Sequence, residues 1–368
     1  MAEVVERQSW EDAEDSIALG VAGPTFTARK LTAAERFARQ RELGILAAAV
    51  LMFILLSVAT DKFLTLNNIL NVARQISLLA IVAAGMTYLF VAGELDLSVG
   101  STYAMGVIAF ATFSAKWNLN PLLALLATIA FGALVGLVNG LVTTKIGMPS
   151  FIVTLGMLSV MRGAALLASN GWPISMNVPG LLFDVLGGNI LIANGRVALI
   201  GTTLTVPPAA VQALIPVQIF WMLGILLVLG FVLSRTPFGY HVYSTGGNKE
   251  AAKRAGINTD RIKIICFMLT GGLVGLAASI LVSWLHTGNP NTGVGFELDV
   301  IAAVIIGGTN LFGGAGSIFG TFLGAAITGM ISNGLVLLGA SAFFEPVAKG
   351  LIIVAAVALD ILIRSRQK

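Results

Sequence analysis

The sequence predicts an all-α integral membrane protein of about ten transmembrane helices, and three observations carry that prediction. Of 368 residues, 57% are hydrophobic and only 11% charged, whereas soluble domains carry roughly 25% charged residues. The mean hydropathy is +0.91. Long apolar runs recur from Leu43 onward; a bilayer core of about 30 Å takes about 20 such residues as helix, because the backbone there must satisfy its own hydrogen bonds. Glycine, at 42 residues, exceeds its ordinary share of about 7%, which suits helices that approach closely through small residues.

In chain order, residues 1–42 read as a tail, acidic early (Glu3, Glu6, Glu11, Asp12, Glu14, Asp15) and basic later. An apolar run that begins only at Leu43 is not a cleavable signal peptide. Apolar runs interrupted by charge, proline or glycine predict helices at 43–59, 75–93, 98–115, 121–143, 149–168, 216–234, 263–284, 298–313, 316–338 and 345–363. The transmembrane domain then covers 43–363, with a short tail at 364–368. Residues 169–215 contain Pro173, Pro179, Pro207 and Pro208 and almost no charge, and are expected to cap the outer mouth. Residues 235–262 are polar and basic; within them 249–255 reads as a short helix that stops at Gly256, a suitable residue for a helix C-terminus. Such a helix invites a partner.

Lysine and arginine orient the threading. The side with both termini holds sixteen, Arg7, Arg29, Lys30, Arg36, Arg39, Arg41, Lys145, Arg235, Lys249, Lys253, Arg254, Arg261, Lys263, Arg364, Arg366 and Lys368. The other holds four, Lys62, Arg74, Lys116 and Arg196, with Arg162 and Lys349 assigned to helix ends where a long side chain can snorkel to the interface. Both termini are therefore expected in the cytoplasm.

A repeated order of short motifs points to an internal duplication. Glu94-Leu95-Asp96 precedes Asn139-Gly140-Leu141 by 45 residues, and Glu297-Leu298-Asp299 precedes Asn333-Gly334-Leu335 by 36. An inverted repeat of predicted helices 2–5 and 7–10 would give this order; chance matching in so apolar a chain is the competing reading.

The sharpest local feature is Gly93-Glu94-Leu95-Asp96-Leu97-Ser98-Val99-Gly100-Ser101, two carboxylates and two hydroxyls between apolar runs. Charge inside a membrane is costly, so such acids usually face a cavity or a partner. In extended backbone Glu94 and Asp96 share a side, which would aim two acceptors at a solute's hydroxyls. Alternatively this is a tight turn in which Asp96 or Ser98 caps the next helix by accepting its free amide protons. The stretch 307–317, Gly-Gly-Thr-Asn-Leu-Phe-Gly-Gly-Ala-Gly-Ser, has five glycines in eleven positions and includes Asn310. It either lines a pathway with carbonyls or lets helices pack closely. The candidate pathway residues are thus Glu94, Asp96, Ser98, Ser101, Asn139 and Asn310.

Absences narrow the function. No Gly-Lys dipeptide occurs, so the phosphate loop G-x-x-x-x-G-K-[ST] is missing and no such ATPase resides in this chain. The single cysteine, Cys266, excludes an intrachain disulfide, and His241 and His286 are too few and too distant to suggest a metal site. No cofactor and no nucleic acid is called for. No nucleophile is paired with a base, which speaks against a membrane enzyme. An ion-coupled secondary transporter or a passive solute channel remains as an alternative to an energised importer.

Together these motifs resemble the permease family of ABC importers for ribose, xylose and related sugars. The resemblance spans most of the chain from about residue 40. It rests on Gly93 to Gly100, on Pro149-Ser150-Phe151-Ile152-Val153-Thr154-Leu155-Gly156, on Gly246-Gly247-Asn248 through Ala255-Gly256-Ile257, on Glu297-Leu298-Asp299 through Ala302-Ala303, and on the glycine-rich 307–317. Glu94 departs from it, standing where the family typically has glycine, and the 169–215 connection is longer than usual. The resemblance implies a bacterial inner-membrane permease that carries a sugar-like solute by alternating access. It implies three partners besides membrane lipid: an ATP-binding subunit, an extracytoplasmic solute-binding protein and a second permease copy, identical or paralogous. It also makes 235–262 the segment that couples to the ATPase, through Asn248, Glu250, Ala252 and Gly256.

Overall fold

The computed structural model describes residues 41–177, 180–193, 196–201 and 213–341, with the single positions 344, 346, 347, 350 and 351. The tail expected over 1–42 falls outside them except for Arg41 and Glu42, as do the tail at 364–368 and nearly all of the tenth expected helix, 345–363. The other nine expected helices are present. They are α1 (Arg41–Ala59), α2 (Leu66–Val91), α3 (Val99–Ala111), α4 (Pro121–Leu141) and α5 (Ser150–Ser169), then, after a short α6 (Leu181–Gly187), α7 (Val217–Arg235). Two further short helices, α8 (Pro237–Gly247) and α9 (Lys249–Arg254), precede α10 (Thr259–Leu285), α11 (Phe296–Ile306) and α12 (Ile318–Leu337). Among the described residues, α1, α2, α4 with its continuation, α5, α7, α10 and α12 are long and apolar enough to cross a bilayer. At 11 residues α11 is much shorter, and α3 runs 13 residues before its own continuation over Thr112–Lys116.

Three boundaries differ from the expectation for local reasons. α2 starts at Leu66 because Arg74, read as an interruption, sits inside the helix: it donates to Asn71 and Asn189 and lies over the Trp284 ring. α10 starts at Thr259 because Asn258 accepts the Arg261 amide proton as an N-cap. α11 stops at Ile306 because the chain turns at Gly308, whose φ of +79° suits glycine.

The centre of the molecule is α2 against α10, both almost wholly buried along their second halves or middles. α1 and α5 instead turn Leu51, Ile54, Val58, Phe151, Ile152 and Leu167 outward, as lipid-facing helices do where hydrocarbon replaces water. Because lipid removes the hydrophobic drive for helix association, contact depends on close approach. The α4–α10 crossing shows how: Gly132 and Gly136 of α4 meet the backbone of Gly271 and Phe267 so closely that an added Cβ would stand 2.1 Å from each carbonyl oxygen. Neighbours also match in pairs. α2 lies against α11 and α12, and α10 lies against α3 and α4, so exchanging α2, α3, α4 for α10, α11, α12 preserves the arrangement.

The 169–215 connection, expected to cap the outer mouth, carries regular structure of its own in its described residues. Here α6 buries Phe183 and Leu186 against the bundle. An antiparallel sheet of order β3-β2-β4 is formed by β2 (Asn189–Ala193), β3 (Arg196–Ile200) and β4 (Ala213–Pro216). A second, minimal sheet pairs β1 (Ile174–Ser175) with β5 (Thr287–Gly288). The sequence signal for the hairpin was Asn194-Gly195 between two apolar runs, a strong two-residue turn signature.

Candidate functional site

The chain leaves α2 at Val91, turns at Gly93 (φ +77°) and re-enters helix at Val99. Between them Asp96 is buried, 3% exposed, and its carboxylate accepts three hydrogen bonds. Oδ1 accepts the Ser98 amide (2.8 Å) and the Ser98 hydroxyl (2.6 Å), and Oδ2 accepts Nδ2 of Asn139 (3.2 Å). The same Asn139 amide reaches Ser98 Oγ at 3.0 Å, and Ser101 Oγ donates to the Ser98 carbonyl at 3.0 Å. Of the two capping candidates, then, Asp96 accepts a backbone amide proton near the start of α3, while Ser98 makes no side-chain cap bond. The structure brings Asp96, Ser98, Ser101 and Asn139 into one buried cluster.

Glu94 and Asp96 do not act together. Glu94 turns to Lys263 of α10, forming an ion pair whose side chains are 11% and 9% exposed. Asn139 belongs to α4, so the 93–98 break sits over the tight α4–α10 crossing with one acid held by each helix. Removing a charge from water is costly unless it is paired or hydrogen-bonded; both acids meet that condition. Asn139 Oδ1 is buried without a hydrogen-bond partner.

Asn310 lies elsewhere. It shapes its own loop, donating from Nδ2 to Gly313 O (2.6 Å) and accepting the Phe312 amide at Oδ1 (2.9 Å). That loop packs on backbone. The Gly314 amide donates to Val91 O at the end of α2 (2.9 Å), Tyr243 Oη donates to Gly316 O (2.7 Å), and Gly313 adjoins Gly246 at the end of α8. Gly246 in turn has no room for a side chain, since a Cβ there would fall 1.8 Å from Val91 O. Its glycines therefore serve close packing between α2, α8 and the 307–317 loop.

The 235–262 segment holds two short helices rather than one. α8 was missed although Thr236-Pro237 announces it: Thr236 Oγ1 accepts the Gly239 amide proton and proline occupies the first turn. In α9, Asn248 caps by accepting the Ala251 amide (2.9 Å), Glu250 is exposed, Ala252 is buried against the chain itself, and Gly256 turns out of the helix at φ +84° with open space around it.

Two cations stand in roles the sequence did not disclose. In the sequence Lys263 reads only as a cytoplasmic basic residue and Arg162 only as a snorkelling side chain. Arg162 Nη1 instead donates to the carbonyls of Pro290 (2.8 Å) and Thr292 (3.0 Å), in the loop ahead of α11. No sequence pattern links Arg162 to residues 128 and 130 positions away. Cavities beside α7, of about 570 Å³ against α6 and α10 and about 340 Å³ against α12, are lined only by apolar residues and glycine. Neither offers hydrogen bonds to a polar solute. Among the described residues no group of histidine, cysteine and acids could hold a metal ion.

Comparison with known proteins gives concordant matches. The family model described as branched-chain amino acid transport system / permease component matches residues 68–357. The ribose import permease protein of Escherichia coli K12 is 37% identical over 319 residues, covering 86% of this chain and 92% of that protein. The ribose import permease protein of Bacillus subtilis 168 is 37% identical over 320 residues, covering 87% and 92%. The xylose transport system permease protein of Haemophilus influenzae is 36% identical over 362 residues, covering 86% and 94%.

Proposed function

Since the chain belongs to the permease-component family of branched-chain amino acid transport systems, a family of ABC-importer permeases, we propose that the solute it carries is a sugar or sugar-like molecule. It is a transmembrane permease subunit of an ABC importer, a multi-pass protein of the inner membrane, and ATP is hydrolysed by a separate subunit. An ATP-binding subunit and a solute-binding protein are its partners. The observation that carries the sugar reading is similarity over most of the chain to two ribose permeases and a xylose permease.

In this reading both termini are cytoplasmic, as the sixteen-to-four distribution of lysine and arginine supports. The α8–α9 segment then faces the ATP-binding subunit, with Asn248 fixing α9, Glu250 and Gly256 presented at the surface, and Ala252 seating the helix from within. A second permease copy completes the pathway. The 93–98 break, with Glu94, Asp96, Ser98, Ser101 and Asn139, belongs to that pathway; Asn310 holds the loop that supports it. ATP binding shifts the outward-open and inward-open populations only through its different affinity for the two, so selectivity resides largely in the solute-binding protein.

Liposomes containing the chain with its ATP-binding subunit, supplied with the solute-binding protein outside and ATP inside, should accumulate labelled ribose or xylose. Uptake by the chain alone under a proton or sodium gradient would overturn the reading. Replacing Gly256 by Arg should abolish solute-stimulated ATP hydrolysis while leaving membrane insertion intact; unchanged stimulation would remove α9 from the docking surface.

A further inference from the structure

The Glu94–Lys263 pair joins residues 169 positions apart. Exposed ion pairs contribute little, but here both side chains are about nine-tenths buried, so separating them would leave charge without water. Its placement gives it a mechanical meaning. Glu94 opens the break that leads to the Asp96–Ser98–Asn139 cluster and the first turn of α3. Lys263 lies in the beginning of α10, directly after the α8–α9 segment. At the junction of α8 and α9 that segment is fastened to the same place, because Gly246 of α8 abuts the backbone of Val91 and Ala92. The α8–α9 segment is thus tied to the α2–α3 break twice, at its middle by backbone contact and just beyond its C-terminal end by charge.

We propose that the Glu94–Lys263 ion pair is a positioning contact that makes the break ahead of α3 and the start of α10 move as one body, transmitting displacement of the α8–α9 segment to the pathway. This rests on α8–α9 being the docking segment. Glu94 acts in it through Lys263 and not by touching solute. A helix as long as α10, 27 residues, transmits motion at its N-terminus along its length, and α10 lies against α2, α3 and α4. A contact at that end therefore reaches α2, α3 and α4.

The test uses the full importer in liposomes and reads the ratio of solute-stimulated to basal ATP hydrolysis. Wild-type protein should show stimulation; if it does not, the docking reading itself fails. The neutral pair Glu94→Gln with Lys263→Leu, which leaves no buried lone charge, should lower the ratio at least tenfold. The swapped pair Glu94→Lys with Lys263→Glu should restore at least half of it, which a direct solute contact by Glu94 would not allow. An undiminished ratio in the neutral pair, or no recovery in the swapped pair, overturns the proposal.

Discussion

The two breaks that precede the short helices α3 and α11 occupy corresponding places in the two halves of the molecule, yet they are built from different chemistry. The break ahead of α3 is held by side chains: Asp96 gathers Ser98 and Asn139, and Glu94 takes Lys263. The loop ahead of α11 is held by its backbone, with Arg162 bonded to the carbonyls of Pro290 and Thr292 and the His286 carbonyl bonded to the Met176 amide. The breaks also approach one another. Gly100, in the first turn of α3, lies against Gly293 and the Glu297 carboxylate, and Tyr103 stacks on Phe296 with ring centroids 4.9 Å apart. The helix neighbours match between the halves, because packing depends on small residues that allow close approach. The polar contacts differ, since a single substitution redirects them.

Asp96→Leu should produce the largest effect. It strips the partners from Ser98 and Asn139, and each buried polar group left unmet costs about 1–3 kcal/mol; the thermal midpoint in detergent should fall well below that of wild type. A midpoint unchanged within error would make the cluster incidental. Next comes Arg162→Met, which frees two carbonyls from a charged donor at about 1.5–3 kcal/mol per such bond, discounted because Arg162 is only partly buried. Hydrogen exchange should accelerate at the Phe296 amide while the Ser98 amide stays protected. Acceleration at both would mean that the breaks are one unit.

The matched asparagines sharpen the contrast at smaller scale. Asn139→Ala withdraws a donor from the buried Asp96, costing about 1 kcal/mol or more. Asn333→Ala only removes the reciprocal bonds with Asn68 (2.8 and 3.1 Å), about 0.6 kcal/mol for an average interhelical bond in a membrane. Equal losses from the two would restore the symmetry that their contacts deny.

The same comparison shows why the motif repeat was only partly legible. Glu94-Leu95-Asp96 lies ahead of α3, whereas Glu297-Leu298-Asp299 lies inside the first turn of α11. Asn139 meets the acidic break, whereas Asn333 meets α2. The helices correspond; the tripeptides do not. Glu94, conspicuous as a departure from the resembling pattern, becomes intelligible only beside Lys263, which hydropathy counts as one more basic residue near a helix end. The β2–β3 hairpin went unread for another reason: in a chain this apolar, strand-length runs do not stand out.

By itself the sequence determined that the chain is a helical membrane protein, where most helices run, which residues break them and which family it resembles. Those properties follow from transfer free energies and local turn geometry, both written along the chain. Tertiary structure alone decided which acid faces which partner, that the glycine-rich 307–317 loop packs against α2 and α8, and that Arg162 and Lys263 hold the two breaks. Each of those contacts joins residues far apart in the sequence, and close approach in three dimensions leaves no periodic trace in one.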